Sequence, residues 1–318
     1  MRIKTAIALI AAAGLLLTGC VSHSENYPSK KIQLLVGYNA GGANDTVARA
    51  FAASLEKASG GTVLVINKPG AAGILAATES KFNPSDGYHL LLAPISAFTS
   101  APLQQEVHYG PEDFLSIVSV SEQPFAITVQ ADSHYRSLED LKNTPDAIVY
   151  STTGVGSSSE VILGEILNDL GVQGRAVPYN GAGNVQQAVI SGEVDVAVSD
   201  ITTAHARAKA GEVRLLAVTG EKRVPQYPDT PTVIEAGFPA ANYLAEQALI
   251  LPVGADPDII NALTTYSQAA ITSPEYQAFL KETMSSLPEI SGEAWLKHYT
   301  PAEKDRLAKA YKELGIEI

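Results

Sequence analysis

The 318-residue chain has one cysteine, one tryptophan and two methionines, and its acidic side chains outnumber the basic ones by 34 to 22. A single cysteine excludes an internal disulfide and any cysteine-built zinc cluster. A formal charge of −12 argues against a nucleic-acid partner, because phosphate recognition needs a basic face. The six histidines (His23, His89, His108, His134, His205 and His298) are scattered, with no pair at metal-ligand spacing. There is no Gly-x-Ser-x-Gly elbow and no phosphate-binding Gly-x4-Gly-Lys-Ser/Thr loop. Gly154-Val155-Gly156 fails the dinucleotide fingerprint, since Ser159 stands where the third glycine belongs. Trp295 lies in the C-terminal tail, and sugar sites stack rings on aromatic side chains, so a sugar ligand is disfavoured. No enzyme, metal or cofactor is expected, and a hydrolase or transferase reading lacks a nucleophile–base pattern.

What is present begins with apolar content. A hydrophobic fraction of 46% supports real cores, and the length suggests two domains. Arg2 and Lys4 open the chain, an uninterrupted apolar run covers residues 6–17, and Leu17-Thr18-Gly19-Cys20 follows. The run is too short to cross about 30 Å of hydrocarbon as a helix, but it suits a signal peptide. Small residues before the cysteine resemble a bacterial lipobox. Residues 1–19 are read as a lipoprotein signal, Cys20 as the lipidated mature N-terminus and residues 20–26 as a polar tether. Cleavage there removes Arg2 and Lys4 and takes the formal charge from −12 to −14. No later apolar stretch is long enough for a membrane span, so the expectation is an extracytoplasmic globule held to a membrane by lipid.

Short apolar runs at residues 32–36, 63–66, 89–92, 117–120, 125–129, 194–198, 214–218 and 248–251 read as buried strands. Helical patterns lie between them. Val47, Phe51 and Leu55 repeat at i, i+4 and i+8 within residues 43–58, and residues 157–170 and 202–210 behave similarly. The tail from Asp256 reads as helical, with breaks at Pro274, near Gly292 and at Pro301. This alternation predicts an α/β fold: two doubly wound, Rossmann-like lobes with a cleft between them and a helical C-terminal tail. Crossings are expected near residues 122–124 and 221–228. Lobe 1 is then 27–123 plus 223–318, and lobe 2 is 124–222.

Four glycine-bearing turns sit where a strand hands over to a helix. They are Gly37-Tyr38-Asn39-Ala40-Gly41-Gly42-Ala43-Asn44, Asn67-Lys68-Pro69-Gly70-Ala71-Ala72-Gly73, Ser151-Thr152-Thr153-Gly154-Val155-Gly156-Ser157-Ser158-Ser159 and Tyr179-Asn180-Gly181-Ala182-Gly183. Glycine lets backbone amides approach a ligand, and a helix start adds unpaired N–H donors and partial positive charge. Each turn alone reads as a tight turn. Two in each lobe point to a cleft for a small anion. Asp45 is expected to cap its helix and pair with Arg49.

Tyr27-Pro28-Ser29-Lys30-Lys31-Ile32 and the Gly41-Gly42-x-x-Asp45 start with Ala48-Arg49 resemble the solute-binding family of tripartite tricarboxylate transporters, also called the Bordetella uptake gene family. The second glycine turn, Pro84-Ser85-Asp86-Gly87-Tyr88, Val177-Pro178-Tyr179-Asn180-Gly181 and Pro228-Asp229-Thr230-Pro231-Thr232 extend the match in order along nearly the whole mature chain. The resemblance implies a periplasmic-binding-protein fold of type II that closes on a small carboxylate: a di- or tricarboxylate, an amino acid or an aromatic acid. It implies delivery to the membrane subunits of such a transporter by a monomer. Carried onto this chain, the candidate ligand contacts are Tyr38, Asn39, Ala40, Gly41, Gly42, Ala43, Asn44, Ala71, Ala72, Gly73, Thr153, Gly154, Gly156, Ser157, Asn180, Gly181 and Ala182; Ser96 is a further candidate, and Asp200 is one because it stands at the C-terminal end of the strand at 194–198. Two departures stand out. Tyr38-Asn39-Ala40 replaces the usual prolines, and Glu160 follows the serine loop where the family has a polar or basic residue. An acidic side chain near the cleft would favour an amino acid or a neutral-ended acid over a citrate-like ligand. The alternative role on the same fold is a co-receptor that reports occupancy to a membrane sensor kinase.

Overall fold

A computed structural model describes residues 27–70, 73–155, 157–179 and 181–317. The signal, Cys20 and the tether lie outside the described residues.

Strand β1 (Ile32–Val36) buries nearly every side chain, as a strand covered on both faces must. It is flanked in parallel by β2 (Val63–Asn67) and β3 (His89–Pro94). Helix α1 (Ala43–Ser59) crosses from β1 to β2 and buries Val47, Phe51 and Leu55 against that sheet, the stripe its spacing foretold. Helix α2 (Ile74–Phe82) returns to β3 and buries Ile74, Ala76 and Ala77 on the other face. A short helix α3 (Ala101–Gln104) follows. Strand β9 (Leu244–Pro252) runs antiparallel to β3 and also to the first part of β4 (Phe114–Gln130).

Strand β4 joins the lobes. Residues 114–124 pair with β9, and from Phe125 onward the same strand pairs with β7 (Val196–Asp200) and β8 (Val213–Val218). The sequence suggested two strands here, 117–120 and 125–129, with a crossing between lobes near residues 122–124. Pro124 is tolerated as the last rung of the β9 ladder, opposite Leu244. In the second lobe β5 (Ile148–Thr152) lies in parallel between β7 and β6 (Gly174–Pro178). Helices α4 (Ser158–Leu170), α5 (Ala182–Ile190) and α6 (Ile201–Lys209) connect these strands. Neither β5 nor β6 was among the expected strands. The first is a short run ending in hydroxyl residues, and the second is a largely exposed edge.

The fold is thus mixed α/β, two lobes around one curled path of strands, β2-β1-β3-β9-β4-β7-β5-β6 with β8 on β4. Two segments depart from the expected division. Residues 232–243 stay with the second lobe: Val233 donates to the Val218 carbonyl, and Val233, Phe238, Ala241 and Tyr243 sit in that lobe's core. The chain returns to the first lobe at Leu244, later than residues 221–228. The tail also divides. Helices α7 (Pro257–Ile271) and α8 (Pro274–Glu282) pack on the first lobe. A π-helical turn, Trp295–Tyr299, buries Trp295 and Leu296 there too. Helix α9 (Thr300–Leu314) then carries Leu307, Ala310 and Tyr311 into the second lobe's core, beneath α4. Pro301 breaks nothing, because it occupies the first turn of α9, where a missing N–H costs no helical bond.

Candidate binding cleft

The first-lobe loop is built by close contacts of Gly37, Asn67 and Asp45. A side chain at Gly37 would place its Cβ 2.7 Å from the Gly73 Cα, so the backbones of the first and second glycine turns touch. Asn67, the last residue of β2, donates to the Tyr38 carbonyl at 3.0 Å and to Asp45 Oδ1 at 2.8 Å. Asp45 Oδ2 accepts the Gly41 N–H at 2.8 Å and the Arg49 Nε–H at 2.8 Å. Gly41 has φ +81°, which favours glycine.

Asp45 is only 2% exposed. Burial works against its ionisation, but hydrogen bonds from Arg49, Gly41 and Asn67 outweigh it and hold the carboxyl down at about 2. Asp45 pairs with Arg49 as expected, but it does not cap α1; it reaches back to the residue before Gly42, the N-cap. No side chain caps α1, so its first-turn amides stay available, and residues 39–43 are exposed beside them. Arg49 spends its charge on Asp45 and Asn67. The positive potential here therefore comes from backbone.

Tyr38 is half-buried, with its hydroxyl 3.3 Å from Ser96 Oγ in the turn after β3. Its ring lies 3.6 Å from where a Gly73 Cβ would stand. Burial pushes the Tyr38 phenol up. Tyr38, Gly73 and Ser96 are thus brought together, and Asn39, Ala40, Gly41, Gly42, Ala43 and Asn44 share the adjoining loop. Ala71 and Ala72 lie outside the described residues.

The second-lobe loops hang on hydroxyls. Ser159 Oγ accepts the Thr153 N–H at 2.9 Å and lies 3.1 Å from Thr153 Oγ1 and 2.8 Å from Ser157 Oγ. Ser157 is the N-cap of α4 and accepts from the Glu160 N–H. Gly154 has φ +149° and Gly181 φ +83°, and a Cβ on either would meet nothing within 4 Å. The Tyr179 N–H donates to the Thr152 carbonyl, so the third and fourth turns lie side by side, with Ala182 opening α5 after its N-cap Gly181. Gly156 and Asn180 lie outside the described residues. Asp200 caps α6, its two oxygens taken by the Thr203 N–H and hydroxyl. Glu160 shares a groove of about 420 Å³ with Tyr150, Leu167 and Leu314, on the α9 side of α4.

One contact crosses from lobe to lobe beside these loops and was not anticipated. Gln104 Nε2 donates to the Val155 carbonyl at 2.9 Å and to the Tyr311 hydroxyl at 3.3 Å, while Leu103 packs on the second lobe's core. Nothing in Leu103-Gln104-Gln105 marks it in sequence. On the far side, Gln123 Nε2 donates to Thr202 Oγ1 at 2.6 Å and to the Thr283 carbonyl. Among the described residues no group of three His, Cys, Asp or Glu side chains is placed to hold a metal, and no helix is long and apolar enough to cross a membrane.

Two α/β lobes that bring glycine turns together, with the starts of α1 and α5 uncapped by side chains, give the architecture of a solute-binding protein. The family model for the tripartite tricarboxylate transporter family receptor (TctC) matches residues 47–292, and the chain belongs to that family. A UPF0065 protein of Agrobacterium vitis is 36% identical over 92% of this chain and 86% of its own. The structure of the periplasmic binding protein BugD has a TM-score of 0.78 at 27% identity, over 92% of this chain and 99% of its own. The structure of Rpa4515 from R. palustris with adipate has a TM-score of 0.81 at 26% identity, with the same coverage. The chain is therefore a periplasmic-type solute-binding protein by family and fold.

Proposed function

We propose that this protein captures a small carboxylate between its lobes and delivers it to the membrane subunits of a tripartite tricarboxylate transporter, while Cys20 carries a lipid that holds it to the membrane as a monomer. The observation that carries the reading is the first-lobe loop: exposed backbone amides at an uncapped helix start, braced by Asp45, with the nearby cation already neutralised. Such a loop favours an anion without any charged side chain pointing at it. The relative with adipate supports a carboxylate as that anion.

No covalent chemistry is involved. A ligand that touches both lobes shifts the population toward the closed state, with bending where the chain crosses between lobes, at Pro124–Phe125, at Tyr243–Leu244 and between Leu296 and Leu307. Gln104 then acts as a clasp that the closed state makes and the open state breaks.

Isothermal calorimetry against di- and tricarboxylates, amino acids and aromatic acids tests the reading. Saturable one-to-one binding of at least one acid is expected, and folded protein that ignores the whole panel overturns it. Gly42→Val should weaken binding at least ten-fold by blocking backbone approach. Unchanged affinity removes the loop from the site. Cys20→Ala should release the protein from the membrane fraction, and a variant that stays there refutes the anchor.

A further inference from the structure

We propose that Gln247, with Ser121 across from it, forms a ligand subsite at the back of the cleft that takes a hydroxyl or amino group carried on the chain of the bound acid. The inference rests on the carboxylate reading above and names the kind of carboxylate.

Register sets the position. Gln247 lies opposite Pro94 on β3, and Pro94 leads directly into the turn whose Ser96 hydroxyl meets Tyr38. Gln247 therefore stands at the loop-bearing end of the first lobe's sheet. Alternation sets the face. Ala248 packs with Ile74 and Trp295, while Leu249 packs with Val36, Val47 and Phe51. Gln247 shares the face of Leu249, the one covered by α1, whose uncapped start is the proposed anion site.

Hydrogen bonding supplies the chemistry. Gln247 is 7% exposed and Ser121 is 1% exposed, and the two are opposed in register between β9 and β4. Neither Gln247 Oε1 nor Ser121 Oγ has a hydrogen-bond partner. Their neighbours are all engaged. Glu246 accepts from the Trp295 indole N–H and the Tyr299 hydroxyl, and Gln123 donates to Thr202 and Thr283. Ser116, further along the same ladder, also lacks a partner, but it faces apolar Ile250 and forms no polar pair. Buried polar atoms are nearly always satisfied, and two opposed exceptions at the back of the proposed cleft point to a partner that arrives from outside. An amide oxygen only accepts, and an ionised carboxylate cannot donate to it. The partner group is therefore a hydroxyl or an amine beside the carboxylate, with the Ser121 hydroxyl as its second contact.

The test is calorimetry on matched acids of three sizes: succinate, malate and aspartate; glutarate, 2-hydroxyglutarate and glutamate; phenylacetate, mandelate and phenylglycine. In the series that binds, the wild type should prefer the hydroxyl- or amine-bearing members over the plain acid by roughly ten-fold or more. Gln247→Met, close in volume, should bring that ratio to within two-fold of unity while the melting temperature holds or rises. Ser121→Ala should lower the ratio by a smaller factor. Equal wild-type affinities across a binding series, or a preference that survives Gln247→Met, overturn the subsite and leave the carboxylate reading intact. Silence toward every acid overturns both.

Discussion

In the first lobe the loop after β1 is tied down by an ionised carboxylate, Asp45, and by backbone pressed on backbone at Gly37 and Gly73. In the second lobe the loop after β5 hangs on neutral hydroxyls around Ser159, and its Gly154 faces open space. Charge-assisted bonds in a buried setting are about twice as strong as neutral ones. The first loop is thus a preformed seat, and the second can adjust to what the seat holds. On the function proposed above, one half of the cleft would supply affinity for the carboxylate and the other would tolerate variety in the rest of the ligand.

Removing Asp45 is the strongest way to break this contrast. Asp45→Ala deletes three hydrogen bonds to a buried charge and should cost about 3 kcal/mol in denaturant unfolding. The loss should depend on pH with a definite sign. The folded carboxyl titrates at about 2, below its ordinary 3.8, so its contribution is present above 3.8 and fades as pH falls through 2. The gap in melting temperature between wild type and Asp45→Ala should therefore be widest at neutral pH and narrow in acid. A gap that does not change with pH refutes the ionised brace.

Gly37→Ala comes next. Its Cβ has backbone rather than a flexible side chain in its way, so the seat must shift, at roughly 2 kcal/mol. Ligand affinity should fall along with stability, and calorimetry on the variant would read both. Ser159→Ala should be mildest, at about 1 kcal/mol, because it removes neutral bonds and leaves one Thr153 amide short of a partner. If Ser159→Ala costs as much as Asp45→Ala, the two loops are equally rigid and the contrast fails.

The sequence was most legible where spacing alone decides the outcome. Val47, Phe51 and Leu55 announced α1 because a helix repeats every 3.6 residues, and β1 announced itself as an unbroken apolar run. It was least legible where distant segments decide. Pro124 looks like punctuation, yet β9 on one side and β7 and β8 on the other carry the strand straight past it. The Asp45–Arg49 pair followed from i, i+4 spacing, but Asn67 joined it only through the parallel pairing of β1 and β2. Gln104 and Gln247 carry no motif, and their interest comes from partners more than fifty residues away, or from the lack of any.

Helix α9 has one practical consequence. The N-terminal edge of the described chain is fastened to one jaw, where Tyr27 packs among Phe51 and Tyr88, whereas Ile316 lies against the core of the other. A donor dye near residue 30 and an acceptor near residue 316 would therefore ride on opposite jaws. The molecule carries its own calliper, and the closure proposed above would be followed as a change in energy transfer between these two positions.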